Sequence, residues 1–352
     1  MPAQDTNRLN GYACPGKGQP LKLTSLPLKT FTENDVDIDI THCGICGSDI
    51  HTMDEGWGHT LYPATVGHEI AGVVARVGTN VKNVKVGDRA GVGAQCDSCG
   101  SCEECQSGNE NICSGKGGMI STYNSRHPDG TPTQGGYADK WRGNSRFVFK
   151  IPDNMSNEDA ACFFCAGVTT FAPLKRAGVN ANSKVGVIGI GGLGHFGVQW
   201  ARAMGAEVTA ISSSDSKRKE AAELGAHNYL VWKDANDVKK YNGYFTHILC
   251  TSFGTPFPWK AYFSMMRPNG HFIMVALPET TLDGIPPGLL AMRQISLEGS
   301  MIGSPKQIRE MLEFAAEHKV KPWIQKYPMK DCNEAVQAMR DGKARFRFVL
   351  EN

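Results

Sequence analysis

The stretch "KVGVIGIGGLGHFGVQWARAMGAEV" (184–208) decides the fold. It begins as a short apolar run of strand type and turns on three glycines, Gly189, Gly191 and Gly194, spaced G-x-G-x-x-G. Its period then changes. Leu193, Phe196, Gly197, Trp200, Ala201 and Met204 recur at helical spacing. "EVTAIS" (207–212) follows as a second strand. A lone glycine pattern is weak evidence, but this one lies between a strand and a helix, where a dinucleotide phosphate would need it. Gly189 makes the turn, Gly191 lets the backbone approach a pyrophosphate, and Gly194 lets helix and strand pack closely. Gly192 and Leu193 complete the turn, and the helix N-terminus offers free N–H groups to the phosphates. The plainer alternative is a purely structural glycine-rich turn.

Downstream the alternation continues. "KRKEAAELGA" (217–226) reads as a helix closed by Gly225. "HILCTS" (247–252) and "HFIMVAL" (271–277) read as strands, the second entered through an Asn269-Gly270 turn. Strands alternating with helices predict a parallel α/β sheet. The end of the second strand speaks to the cofactor. An NAD site usually places an acid there for the ribose 2′-hydroxyl. Here Ser212, Ser213 and Ser214 stand instead, followed by Lys217, Arg218 and Lys219. Small hydroxyls and cations suit a 2′-phosphate, which points to NADP(H). The alternative is a solvated helix start.

Upstream the period is two. "DVDIDI" (35–40), "EIAGVVARVG" (69–78) and "VKVGDRAGVG" (84–93) read as strands, with Gly87-Asp88 as a turn. Residues 115–136, rich in Gly, Ser, Asn and Pro, read as irregular. After residue 298 a helix starts with Ser304 as cap and Pro305 at its first position, and Ile308, Met311, Leu312 and Ala315 form its apolar face. A second helix near 332–340 ends at Gly342 and leads into "RFRFVL" (345–350), read as returning to the first domain. The 352 residues are enough for two domains. We expect a mainly β domain from 1–153 and 298–352, and a dinucleotide-binding domain at 154–297.

A net charge of +2 gives no electrostatic reason to expect nucleic acid or a membrane surface. No apolar run approaches a membrane span, and "MPAQDTNRLNGYACPG" lacks a signal core. The expected location is the cytoplasm. In a reducing compartment, twelve cysteines point to metal ligands rather than to disulfides. Five of them fall within "QCDSCGSCEECQSGNENIC" (95–113). Four thiolates can close around one zinc, but spacing leaves two registers open: Cys99, Cys102, Cys105 and Cys113, or one that starts at Cys96. An iron–sulfur cluster would accept the same residues.

These pieces together resemble the zinc-dependent medium-chain alcohol dehydrogenases, most closely the cinnamyl alcohol dehydrogenase branch. The matching segments are "CGICGSDIH", "GHEIAGVVARVG", "VGDRAGVG", the cysteine ladder, "QGGYAD", "CAGVTT", the 184–208 stretch and "ARFRFVL", in family order over nearly the whole chain. The resemblance implies a Rossmann doubly wound sheet inserted in a mainly β, GroES-like catalytic domain. It implies two zinc ions per chain: one catalytic, on Cys46, His68 and Cys165 with Glu69 as an exchangeable ligand, and one structural, on Cys99, Cys102, Cys105 and Cys113 with Cys96 left over. It further implies Ser48 and His51 as the proton relay, Asp49 as the residue that orients His68, and Thr169 beside the nicotinamide. A homodimer is implied, with "ISLEGSMIG" (295–303) near the subunit contact.

The expected activity is reversible hydride transfer between NADP(H) and primary alcohols or aldehydes, with aldehyde reduction favoured. Trp57 and "WGHTLYP" (57–63) are expected to line a pocket for aromatic or medium-chain substrates. Three other readings compete. A non-catalytic NADP-binding zinc protein would lack a ligand or relay residue, and none is missing. A zinc ribbon for nucleic acid would want basic surroundings, whereas 97–110 carries four acids and no Lys or Arg. A polyol or formaldehyde dehydrogenase would prefer NAD.

Overall fold

The computed structural model describes residues 7–352. The first six residues of the polar N-terminal stretch lie outside the described residues. The chain divides into two compact units. One comprises Met1–Val168, Gly303–Glu317 and Pro322–Asn352, and the other Thr169–Ile302 and His318–Lys321.

The first unit is built on the strand Asp35–Gly44. Its alternating sequence buries Val36, Ile38 and Ile40 and turns Asp39 to solvent, which is what a period of two does on a pleated strand. It pairs antiparallel with Glu69–Val77, Lys140–Asn144 and Arg347–Glu351. These strands belong to a seven-stranded sheet that also holds Phe149–Lys150, Arg89–Val92 and Ile324–Pro328. A second sheet of three strands joins Lys22–Pro27, Arg8–Cys14 and Ala64–Thr65. The "VKVGDRAGVG" run contributes a ladder only from Arg89. Before it the chain turns, with Asp88 N–H donating to the Lys85 carbonyl at 3.0 Å and Gly87 at φ 88.

The C-terminal segment closes this unit. Ser304 and Gln307 form a reciprocal cap on the helix Pro305–His318, with Gln307 Oε1 accepting from Ser304 N–H at 2.9 Å. Its buried face is Pro305, Ile308, Met311, Leu312 and Ala315, and each large apolar side chain there contributes about 1.5–3 kcal/mol. The helix Cys332–Arg340 buries Cys332, Ala335 and Val336. Gly342, at φ 68, then releases the chain into Arg347–Glu351, which pairs parallel with Ile324–Pro328.

The second unit is a six-stranded sheet in the order Asn228–Val231, Glu207–Ser212, Lys184–Ile188, Phe245–Cys250, Met266–Met274, Ser296–Gly299. All five pairings are parallel. Chain order reverses on either side of Lys184–Ile188, so a ligand crevice belongs at the carboxyl end of that strand. The helix Gly194–Ala203 leaves from there, burying Phe196, Gly197, Trp200 and Ala201. One expectation is corrected. Asn269-Gly270 is not a turn before a strand but lies inside the strand Met266–Met274. The ladder pairs Phe245 with Met266 and next His247 with His271, so the residues between bulge out, with Asn269 at φ 60. No helix among the described residues is long and apolar enough to cross a membrane.

Candidate functional site

Three separate pieces of chain bring Cys46, His68 and Cys165 together, each offering one ligand atom within 4.8 Å of the others. Cys46 caps the helix Gly47–Met53. His68 immediately precedes the strand Glu69–Val77. Cys165 sits in a π-helical turn, Phe163–Gly167, between the helices Asn157–Cys162 and Val168–Arg176. Wide turns of this kind recur at functional sites because they re-aim side chains and backbone groups.

The geometry fits zinc. Two thiolates about 2.3 Å from one tetrahedral ion stand about 3.8 Å apart, and Cys46 Sγ lies 3.9 Å from Cys165 Sγ. His68 Nε2 is buried with no hydrogen-bond partner, an unsatisfied state that a metal bond would relieve. Cys165 holds the Cys46 thiol well below its usual range. Burial opposes charge on His68, but the Cys46 sulfur, Asp49 and Glu69 outweigh it and lift the imidazole to about 9. Such a concentration of anionic groups is the environment of a cation.

The neighbours brace this group. Asp49, fully buried, accepts from Cys46 N–H at 2.9 Å, Gly67 N–H at 3.1 Å and the Tyr137 hydroxyl at 3.1 Å. It thereby fixes the backbone at one ligand and next to a second. Ser48 Oγ is 3.5 Å from Cys46 Sγ. His51 lies one turn further along the same helix, its ring stacked 4.4 Å from half-exposed Trp57. Glu69, expected as an exchangeable ligand, stands outside the three-residue group. Its Oε1 accepts from Arg347 at 2.5 Å and from Ala166 N–H at 3.2 Å. Burial pushes the Glu69 carboxyl up to about 7 against the pull of Arg347. A side chain at Gly44 would meet Glu69 Oε2 at 2.0 Å, so only glycine gives that carboxylate room.

Four residues of the cysteine ladder form a second group: Cys99, Cys102, Cys105 and Cys113. Cys99 and Cys105 sulfurs are 4.0 Å apart, and those of Cys102 and Cys113 3.9 Å, again the spacing of a tetrahedral site. Backbone N–H groups of Ser101 and Cys102 point at Cys99 Sγ, and that of Cys105 at Cys102 Sγ. The Cys105 N–H is the main cause of a Cys102 thiol held at about 5. Cys96 is elsewhere, buried with its sulfur on the Ser121 carbonyl at 3.4 Å.

In the second unit the glycine turn follows Lys184–Ile188 directly. Gly189 sits at φ +84, and a Cβ on Gly194 would lie 1.7 Å from the Gly189 carbonyl oxygen. A Cβ on Gly191 would meet nothing within 4 Å, so the turn presents open space where a phosphate could approach. Ser213 and Ser214 are exposed, and Ser212 is partly so. Lys217 Nζ donates to the Ile190 carbonyl at 2.6 Å, which ties this cation to the turn. Arg218 pairs with Asp215. Thr169, partly buried, opens the helix Val168–Arg176 at its second residue.

Residues 32–153 match the alcohol dehydrogenase GroES-like domain, and residues 192–317 the zinc-binding dehydrogenase domain. An NADP-dependent alcohol dehydrogenase C of Mycolicibacterium smegmatis is 41% identical over 97% of this chain and 97% of its own. A probable formaldehyde dehydrogenase of Bacillus subtilis is 42% identical over 93% of each chain. The solved cinnamyl alcohol dehydrogenase SbCAD4 of Sorghum bicolor superposes with a TM-score of 0.93 at 34% identity, covering 98% of this chain and 97% of the other. The chain belongs to the zinc-binding alcohol dehydrogenases.

For a zinc-binding alcohol dehydrogenase the sequence reading left three side chains at the centre unremarked. Arg347 lies in "ARFRFVL", where a basic residue in a strand buried on both faces was the available signal. Tyr137, within "QGGYAD", bonds Asp49. Tyr123 lies in the segment read as irregular, yet it is buried and stacks on His68. No local pattern marks it.

Proposed function

We propose that this chain is an NADP(H)-dependent zinc oxidoreductase interconverting primary alcohols and aldehydes, aromatic or medium-chain, with aldehyde reduction favoured. The observation that carries the reading is the Cys46, His68 and Cys165 group, which has the sulfur spacing of a zinc site and leaves a fourth position open. Zinc bound there supplies Lewis-acid polarisation of a carbonyl oxygen, and the nicotinamide supplies the reducing equivalent.

The chain's own residues do the rest. Two thiolates balance the charge of the ion, and Asp49 keeps Cys46 and Gly67 in place. Ser48 and His51, three residues apart on one helix, are the protein's part of a proton path from substrate oxygen to solvent. Trp57 offers an apolar face beside His51 for an aromatic substrate. Gly189, Gly191, Gly192, Leu193 and Gly194 cradle the pyrophosphate, Ser212, Ser213, Ser214 and Lys217 receive the 2′-phosphate, and Thr169 packs on the nicotinamide. Cys99, Cys102, Cys105 and Cys113 hold a structural zinc.

We assign the catalytic zinc-binding domain to residues 1–153 with 298–352 and the dinucleotide-binding domain to 154–297, with the ligand Cys165 supplied from just past that first boundary, in a cytoplasmic homodimer whose contact runs through 295–303. A second reading is a formaldehyde or polyol dehydrogenase using NAD, and the 42% identity to a probable formaldehyde dehydrogenase supports its substrate side.

The test is oxidation of NADPH, and separately of NADH, with cinnamaldehyde and benzaldehyde. We expect aldehyde-dependent turnover with strong NADPH preference, lost in Cys46→Ser. A clear NADH preference would move the assignment to the second reading. No turnover in protein holding two zinc ions per chain would leave a non-catalytic binding protein.

A further inference from the structure

We infer that Tyr123 is a positioning residue of the metal centre, its ring holding the His68 imidazole in the orientation that completes the group with Cys46 and Cys165; this rests on the zinc reading above. The two rings are 5.1 Å apart between centroids and only 8° from parallel. Rotation of an imidazole about its last side-chain bond is soft, with broad wells. A parallel aromatic face against it removes that freedom, because turning the imidazole would drive its edge into the tyrosine. His68 Nε2 would otherwise pay for order it gains from no hydrogen bond, since it is buried and unpartnered.

Tyr123 can serve this way because its own backbone is clamped on both sides. Thr122 donates from N–H to the Ala94 carbonyl at 3.0 Å and from Oγ1 to the Gly93 carbonyl at 2.5 Å. Asn124, at φ 54, accepts from Leu61 N–H at 2.8 Å. The tyrosine is buried and meets the imidazole through the face of its ring. A residue that merely filled the core would be replaceable by any apolar side chain of similar volume without change at the metal.

The experiment measures zinc affinity by chelator competition on the full chain, wild type against Tyr123→Phe, Tyr123→Leu and Tyr123→Met, and records the visible spectrum after cobalt replaces zinc. Tyr123→Phe should keep wild-type affinity. Tyr123→Leu and Tyr123→Met should weaken one of the two zinc ions by about tenfold or more, the scale of residues that support metal ligands, and should alter the cobalt bands. The zinc held by the cysteine ladder should be unchanged in all of them. If Leu unfolds the protein, the Met variant decides. Wild-type affinity and spectrum in folded Leu or Met variants would overturn the inference. An equal loss in Tyr123→Phe would overturn it too, by giving the role to the hydroxyl. A wild-type chain holding only the ladder zinc would sink the metal centre itself, and this inference with it.

Discussion

Arg347 donates to Glu69 Oε1 at 2.5 Å across 278 residues of sequence, and neither side chain is more than 3% exposed. In so dry a place the mutual attraction of the pair roughly offsets its desolvation, so the intact pair adds little net stability. Removing one partner is different, because it strands a buried charge. Arg347→Met should therefore destabilise the chain by about 3–5 kcal/mol, read as a lower urea midpoint. The double variant Glu69→Gln with Arg347→Met should recover part of that loss. An unchanged midpoint in the single variant would show that the pair is not buried as described.

The ladder makes a sharper test of ligand assignment. Cys96 carries a thiol pushed up by burial and bonded to a backbone carbonyl, while its four neighbours converge. Cys96→Ser should keep two zinc ions per chain by elemental analysis. Cys105→Ser should keep one, and protease cleavage within 95–123 should rise, because that loop has little core of its own. Loss of zinc in Cys96→Ser would move the register back by three residues.

Cofactor choice is testable at the exposed serines. Ser213→Asp places a carboxylate where a 2′-phosphate would lie, and like charges repel strongly at such range. The KM for NADPH should rise by about tenfold or more, about 1.4 kcal/mol, with NADH much less affected. Equal effects on both cofactors would mean that Ser213 does not face the 2′ position.

How far the sequence carried these conclusions depended on whether the signal was local. The 184–208 stretch was readable because strand, turn and helix follow one another within it, and each glycine has its own steric reason. The Ser304 cap and the buried face of its helix were readable for the same cause. The Asn269-Gly270 reading failed because a parallel ladder reaches past a bulge, and only the partner strand shows this. Cys46, His68 and Cys165 carried no spacing of their own and entered through resemblance alone. Tyr123 was illegible because its meaning lies in a stack with a residue far away in sequence. For Arg347 the basic residue in an apolar strand marked the position but not its partner, which lies 278 residues away.

A last prediction concerns acid. His127 is buried in the first unit, and burial first, then the nearby Lys29 ammonium, hold its imidazole down at about 4. In the unfolded chain the same group titrates near about 6.5. Between those values the unfolded state binds more protons than the folded one, so stability rises with pH across that window and falls on acidification. The loss accumulates from about pH 6.5 down to about pH 4 and reaches about 3 kcal/mol. It is absent above the window, where His127 is neutral in both states. Urea midpoints measured from pH 7.5 to 4.5 should fall for the wild type and fall less steeply for His127→Gln. Parallel curves for the two proteins would show that other groups govern the acid limb.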